Sequence, residues 1–216
     1  MLADPLFIDR PMVRGWLHQA TSPRAALALT HGAGGNCEAR LLIAVAEAFA
    51  QSGYCVLRYD LPFRQQSPHG PPRARQERDR EGIRRAAEEL RSLAGDCPLY
   101  LAGHSYGGRQ TTMLAAEDPV VAAALLLLSY PLHPPTQPAA LRTQHFPAVR
   151  VPALFVHGTR DAFGSIAEME QALATIPART KLVPVQGAGH GLSTATATSL
   201  PGWFAEFQGQ YTQPPN

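Results

Sequence analysis

Four short stretches of this 216-residue sequence place reactive or hydrogen-bonding groups among glycines at the ends of apolar runs. The most informative is Gly103-His-Ser-Tyr-Gly-Gly108, a Gly-x-Ser-x-Gly pattern between a β-prone run and a helix-like segment. In that setting the pattern makes a sharp, strained turn that lifts the serine hydroxyl above a sheet edge. Gly103 and Gly107 suit a strand and a helix that approach too closely for a Cβ. A serine hydroxyl is a weak nucleophile until a base accepts its proton and a third group orients that base. Phe155-Val-His-Gly-Thr-Arg-Asp161 supplies an acid just past one buried run, and Gly187-Ala-Gly-His190 a histidine just past the next. The chain order Ser105, Asp161, His190 is one of the known orders for such a relay. The fourth stretch, His31-Gly-Ala-Gly-Gly35, carries no nucleophile but offers backbone N–H groups. A tetrahedral intermediate needs two donors aimed at its oxyanion. The expected pair is the N–H of Tyr106, next to the serine, and that of Ala33, with Gly34 as the alternative.

Each of these residues has a plainer reading. Ser105 could be a serine in a tight turn, and Asp161 could cap the following helix, as Asp often does. His190 competes with His31, His104 and His157. Of these, His31 and His157 precede glycines at run ends and read as loop braces, and His104 is the variable residue of the turn. Between its two glycines, the His190 ring is expected to be free to swing. Arg109, four residues past Ser105, reads as an internal ion pair or loop anchor rather than as a clamp for an anionic substrate. Asp60 and Phe63 are expected to line the pocket without a catalytic role, and Cys37 to pack as a small apolar group.

Elements that would position these groups follow from periodicity. Apolar runs at 25–30, 54–59, 98–102, 122–129, 152–157 and 181–185 read as strands, and residues 38–52, 77–93, 109–116 and 165–176 as helices. Residues 61–76 read as a loop rich in Pro, Arg and Gln, residues 5–20 as added antiparallel edge strands, and the tail 213–216 as frayed. Strands alternating with helices imply an α/β fold with a mostly parallel twisted sheet and helices on both faces. No internal repeat or linker divides the chain, so a single domain spanning 1–216 is expected.

Composition narrows the alternatives. With 45% apolar and 7% aromatic residues the chain is neither disordered nor collagen-like. A net charge of +2 is too weak to imply nucleic-acid binding. The longest apolar runs fall short of a membrane span, and Asp4 and Asp9 interrupt any leader-like core. A soluble, cytoplasmic protein with no nucleic-acid or membrane partner is therefore expected. The three cysteines show no Cys-x-x-Cys pattern, so neither a disulfide framework nor a zinc site is expected.

With these motifs in hand, the sequence resembles the α/β-hydrolases, and among them the dienelactone hydrolase-like superfamily. Thr30-His-Gly-Ala-Gly-Gly35, Gly103-His-Ser-Tyr-Gly-Gly-Arg109, Leu128-Ser-Tyr-Pro-Leu-His-Pro-Pro135 and His157-Gly-Thr-Arg-Asp-Ala-Phe-Gly164 carry the likeness, together with His190. The Ser-Tyr-Pro-Leu-His-Pro segment points to the branch with the testis-expressed protein type and a chromatin-complex subunit. Dienelactone hydrolases proper have cysteine where this chain has Ser105, which argues against dienelactone as substrate. The resemblance implies hydrolysis of a small acyl substrate without metal or organic cofactor. Carboxylesters or thioesters with short acyl groups are the expected class.

Two other readings stand beside it. The first is an interaction scaffold of the same fold without catalysis. The second is a dinucleotide site, since Gly32-Ala-Gly-Gly-Asn-Cys37 follows a strand and Asp60 ends the next. There, however, Cys37 replaces the third glycine, and Asp60 comes later than the ~20-residue spacing of that fingerprint. Finally, residues 130–152 leave room for a Pro-stiffened crossing but not for a helical cap, so an open, shallow pocket is expected.

Overall fold

The computed structural model describes residues 3–72 and 76–209. One sheet contains β1 (Leu6–Arg10), β2 (Val13–His18), β3 (Ala25–Thr30), β4 (Tyr54–Asp60), β5 (Leu99–His104), β6 (Ala124–Leu128), β7 (Ala153–Gly158) and β8 (Thr180–Val185). The described helices are α1 (Arg40–Gln51), α2 (Pro62–Gln66), α3 (Gln76–Ala94), α4 (Tyr106–Glu117), α5 (Ile166–Leu173), α6 (Thr194–Ala197) and α7 (Leu200–Gly209). Spatial order is β1-β2-β4-β3-β5-β6-β7-β8. The strands from β4 to β8 in that order run parallel, and β1 and β2 add an antiparallel edge, as residues 5–20 suggested.

Burial on both faces explains the near-continuous apolar strands, because alternate residues serve opposite layers. In β3, Leu27 and Leu29 pack with Leu42, Val45 and Phe49 of α1, and with Phe204 and Phe207 of α7. Their neighbours Ala26 and Ala28 belong to the opposite core, with Ile83 and Leu90 of α3, Leu114 of α4 and Met169 of α5. The chain leaves β3 for β4 on one side and returns to β5 on the other. Ligands bind in α/β sheets at such a reversal, at the carboxyl ends of the strands. Both Ser105 and the His31–Gly35 stretch lie there.

Two segments differ from the sequence reading. The expected loop 61–76 begins with α2, whose Pro62 occupies the first turn, where a fixed φ and a missing N–H cost nothing. The sequence shows no clear periodicity beyond residue 185, yet α6 and α7 complete the α1 layer. Pro201-Gly202 looks like a breaker, but Pro201 sits in the first turn and burial of Phe204 and Phe207 outweighs the glycine. The tail 213–216 lies outside the described residues, as do 73–75 of the loop. Between β6 and β7 the only helical element is the 3-10 turn Phe146–Ala148, so among the described residues no cap covers the sheet edge. Among the described residues, no helix is long and apolar enough to cross a membrane.

Candidate active site

Ser105 occupies the turn from β5 into α4 with φ 51° and ψ −116°, a strained conformation for a non-glycine residue. Its N–H donates to Leu128 O (2.8 Å), which extends the pairing of β5 with β6 and enforces the turn. A Cβ on Gly103 would lie 2.4 Å from Gly108 N, confirming the close strand–helix approach expected there. At Gly107 the crowding comes from the neighbouring strand instead, since a Cβ would lie 2.5 Å from His31 O and 2.7 Å from Thr30 Cγ2.

Three side chains from three separate strand ends meet in one hydrogen-bonded line. The Ser105 hydroxyl lies 2.7 Å from His190 Nε2. His190 Nδ1 lies 2.8 Å and 3.0 Å from the two carboxylate oxygens of Asp161. With Nδ1–H donating to Asp161, Nε2 is left as the acceptor for the serine proton. The loops after β7 and β8 are fastened together, with Arg160 N–H on Ala188 O (2.9 Å) and Gly187 N–H on Thr159 Oγ1 (2.9 Å). Gly158 permits this crossing, because a Cβ there would lie 2.3 Å from Ala188 O.

Asp161 is 6% exposed, and burial by itself would raise its pKa. Hydrogen bonds from His190 and from Phe163 N–H (2.8 Å) outweigh burial and hold it below the usual carboxylate value. It does not cap α5, which has its own capping box of Ser165 and Glu168.

The remaining histidines brace this arrangement. His157 Nε2–H donates to Gly164 O (2.8 Å), and His31 Nδ1–H to Gly32 O (2.8 Å). His104, read as a variable residue, donates Nε2–H to the His190 carbonyl (3.0 Å). Burial lowers the pKa of all three, so they stay neutral at pH 7. The His190 ring is not free to swing. Asp161 and Ser105 hold its nitrogens, Phe163 lies against its face at 4.1 Å, and His104 holds its backbone.

The Gly32–Gly35 stretch folds as a turn closed by Gly35 N–H on Gly32 O (3.1 Å) and is pressed against Ser105, since a Cβ on Gly32 would lie 3.2 Å from Ser105 Cβ. Tyr106 opens α4, where N–H groups have no intrahelical acceptor. A cleft of about 410 Å³ surrounds Ser105, with Ala33, Leu41, Leu42, Phe163 and His190 among its walls.

Several expectations are corrected. Asp60 and Phe63 do not line this cleft. Asp60 is 7% exposed and accepts Cys37 N–H (2.7 Å) ahead of α1, while Phe63 packs against the rings of His31 and Tyr106. A carboxylate committed in this way does not suit a ribose-binding role. Arg109 forms neither the ion pair nor the anchor expected of it, because among the described residues its guanidinium has no hydrogen-bond or ion-pair partner and its Nε is buried. Its charged neighbour Arg142 is also a cation. Cys37 is buried as expected, and burial with Asp60 beside it pushes its thiol up to about 12.

The sequence reading passed over Arg64 and Asp79, both buried close to the glycine turn and Tyr106. Asp79 had a readable signal, since it stands four residues before Ile83 on the buried stripe of α3. Arg64, inside a segment without periodicity, had none.

The alpha/beta hydrolase domain model matches residues 23–200. The chain belongs to the α/β hydrolase family. Its fold is similar to that of dienelactone hydrolase from Anabaena variabilis, with a TM-score of 0.76 at 22% identity over 94% of this chain and 97% of that one. It is similar to Est1E from Butyrivibrio proteoclasticus, with a TM-score of 0.74 at 18% identity over 96% of this chain and 100% of that one. A third similar structure is an α/β serine hydrolase without lid from Xanthomonas campestris, with a TM-score of 0.69 at 16% identity over 98% and 96% of the two chains.

Proposed function

We propose that this hydrolase cleaves carboxylesters or thioesters with short acyl groups through an acyl-enzyme on Ser105. The observation that carries the reading is the hydrogen-bonded line from Ser105 Oγ through His190 to Asp161. His190 Nε2 takes the serine proton as Oγ attacks the acyl carbonyl, and Asp161 fixes the tautomer and stabilises the imidazolium. The N–H groups of Ala33 and Tyr106 receive the oxyanion; losing one such donor typically costs about 100- to 1000-fold in rate. Collapse of the intermediate breaks the bond to the leaving group, which takes the proton from His190. Water, activated by the same imidazole, then hydrolyses the acyl-enzyme and regenerates Ser105. Every proton moves between serine, histidine, leaving group and water, so the scheme uses neither a metal nor an organic cofactor.

The test is covalent labelling of the folded protein by a fluorophosphonate probe, with Ser105→Ala as control, followed by a panel of esters, thioesters and amides. Labelling that the control abolishes is expected. A folded wild-type protein that takes no label overturns the reading in favour of a non-catalytic scaffold. Thermal stabilisation by NAD(H) without labelling overturns it in favour of a dinucleotide site.

A further inference from the structure

Backbone N–H groups stabilise an oxyanion only if their peptide planes are held in place, and here the plane that carries Ala33 N–H and the side chain of Tyr106 are both tied to one small hub. The hub is the corner from Leu61 through Arg64, seated on α3 where Gly82 leaves space. A Cβ on Gly82 would lie 2.4 Å from Pro62 Cδ.

Two hub residues control the glycine turn. Leu61 N–H donates to His31 Nε2 (3.1 Å), and His31 Nδ1–H in turn holds Gly32 O (2.8 Å). The peptide is planar and trans, so fixing Gly32 O fixes the Ala33 N–H on the opposite side of the same plane. The next peptides are held by Arg64, which is 4% exposed. Its guanidinium donates to Ala33 O (2.7 Å) and Gly35 O (2.8 Å), and also to Ser67 O and Gly70 O (both 3.1 Å). Among the described residues no carboxylate pairs with it.

A third residue controls the other arm. Asp79, 1% exposed, accepts Phe63 N–H from the hub (3.0 Å) and the Tyr106 hydroxyl (2.8 Å). The Phe63 ring fills the space between, with centroids 5.6 Å from both His31 and Tyr106. Arg64 and Asp79 are thus buried, oppositely charged and not paired with each other, and each is spent on one arm. Burying two separate charges is a costly way to stabilise a fold when apolar side chains could fill the same space.

We propose that Arg64 and Asp79 are positioning residues of the oxyanion hole, Arg64 fixing the peptides around Ala33 and Asp79 fixing Tyr106 at the start of α4. The assignment rests on the acyl-enzyme reading above. It assigns no contact with substrate to either side chain.

The experiment compares wild type with Arg64→Met, Arg64→Lys, Asp79→Asn, Tyr106→Phe and the Asp79→Asn/Tyr106→Phe double variant. Readouts are kcat and KM on p-nitrophenyl acetate, inhibition by a trifluoromethyl ketone whose hemiketal oxyanion occupies the hole, and thermal melting. For Arg64→Met and Asp79→Asn, kcat and ketone affinity are expected to fall together by about 10- to 100-fold, less than for loss of a donor itself, with KM within about twofold. Arg64→Lys should recover part of the loss. The double variant should be no worse than Asp79→Asn alone, because both changes act on the same Tyr106–Asp79 hydrogen bond. If Asp79→Asn fails to fold, Tyr106→Phe removes that bond and carries the test. Lower melting with unchanged kcat and ketone affinity, or a rise in KM at constant kcat, overturns the proposal. A wild type that takes no fluorophosphonate label overturns the acyl-enzyme reading and this proposal together. Labelling at Ser105 with wild-type turnover in the variants overturns this proposal alone.

Discussion

Ser105 stands between two halves that are built by different means. On the β7–β8 side, Asp161 and His190 hold each other, and their loops are drawn together by backbone bonds across Gly158. On the β3–β4 side, the glycine turn offers only main-chain groups, and its conformation is imposed by His31 and Arg64. In the first half, the groups read as chemical are also the groups that fix the geometry. In the second, the two tasks belong to different residues. A reacting side chain leaves its identity in the sequence; a reacting N–H leaves only the glycines that make room for it.

Changes that separate the two halves test this contrast. The largest effect belongs to Asp161→Asn. It keeps the shape but offers His190 a donor where an acceptor is needed, so kcat/KM on p-nitrophenyl acetate should fall by roughly 1000- to 10,000-fold. A loss below tenfold would show that Asp161 is not what orients His190. Next comes Gly107→Ala, where the halves meet. Its methyl would press on His31 O, and urea denaturation should show a loss of about 2–4 kcal/mol along with reduced turnover. Unchanged stability would mean that the turn can yield.

A smaller effect is expected from pH. Burial above all lowers His31 to about 4, so below pH 6.5 the unfolded chain binds a proton that the folded chain refuses. Stability should therefore fall as pH drops from about 6.5 towards 4, by at most about 1.4 kcal/mol per pH unit from this one group. His18 and His145, also lowered to about 4, act in the same direction. Asp79, raised chiefly by burial, acts in the opposite one, while the depressed Asp161 loses its contribution only below about pH 4. Melting curves of wild type and His31→Gln across this range measure the His31 share, and parallel curves would assign the slope to other groups. The smallest effect is predicted for Gly191→Ala. A Cβ there meets nothing within 4 Å, and equilibrium unfolding should change by no more than about 0.5 kcal/mol.

The same division explains what could be read from the sequence. The parallel strands were legible because burial on both faces writes them as unbroken apolar runs, as in Leu125 to Leu128 of β6. Ser105, Asp161 and His190 were legible because side-chain chemistry beside a strand end is rare enough to stand out. The α2 corner was not, because five residues are too few for a period, and α7 was hidden by a Pro-Gly pair that the tertiary packing accommodates. The unpaired Arg109 was misread because an arginine normally finds a partner, which is a statement about neighbours rather than about sequence.

The uncovered stretch between β6 and β7 has a kinetic consequence. Among the described residues, no helical segment between β6 and β7 has to lift aside before substrate enters or product leaves. On the acyl-enzyme proposal, turnover should rise smoothly with dissolved substrate, with no jump where amphiphilic esters begin to form micelles. Choice among acyl compounds, on the same proposal, falls to the walls beside Ser105, among them Leu41, Leu42 and Phe163. A hydrolase built that way would discriminate by fit, its breadth set by how many small acyl groups those side chains accept.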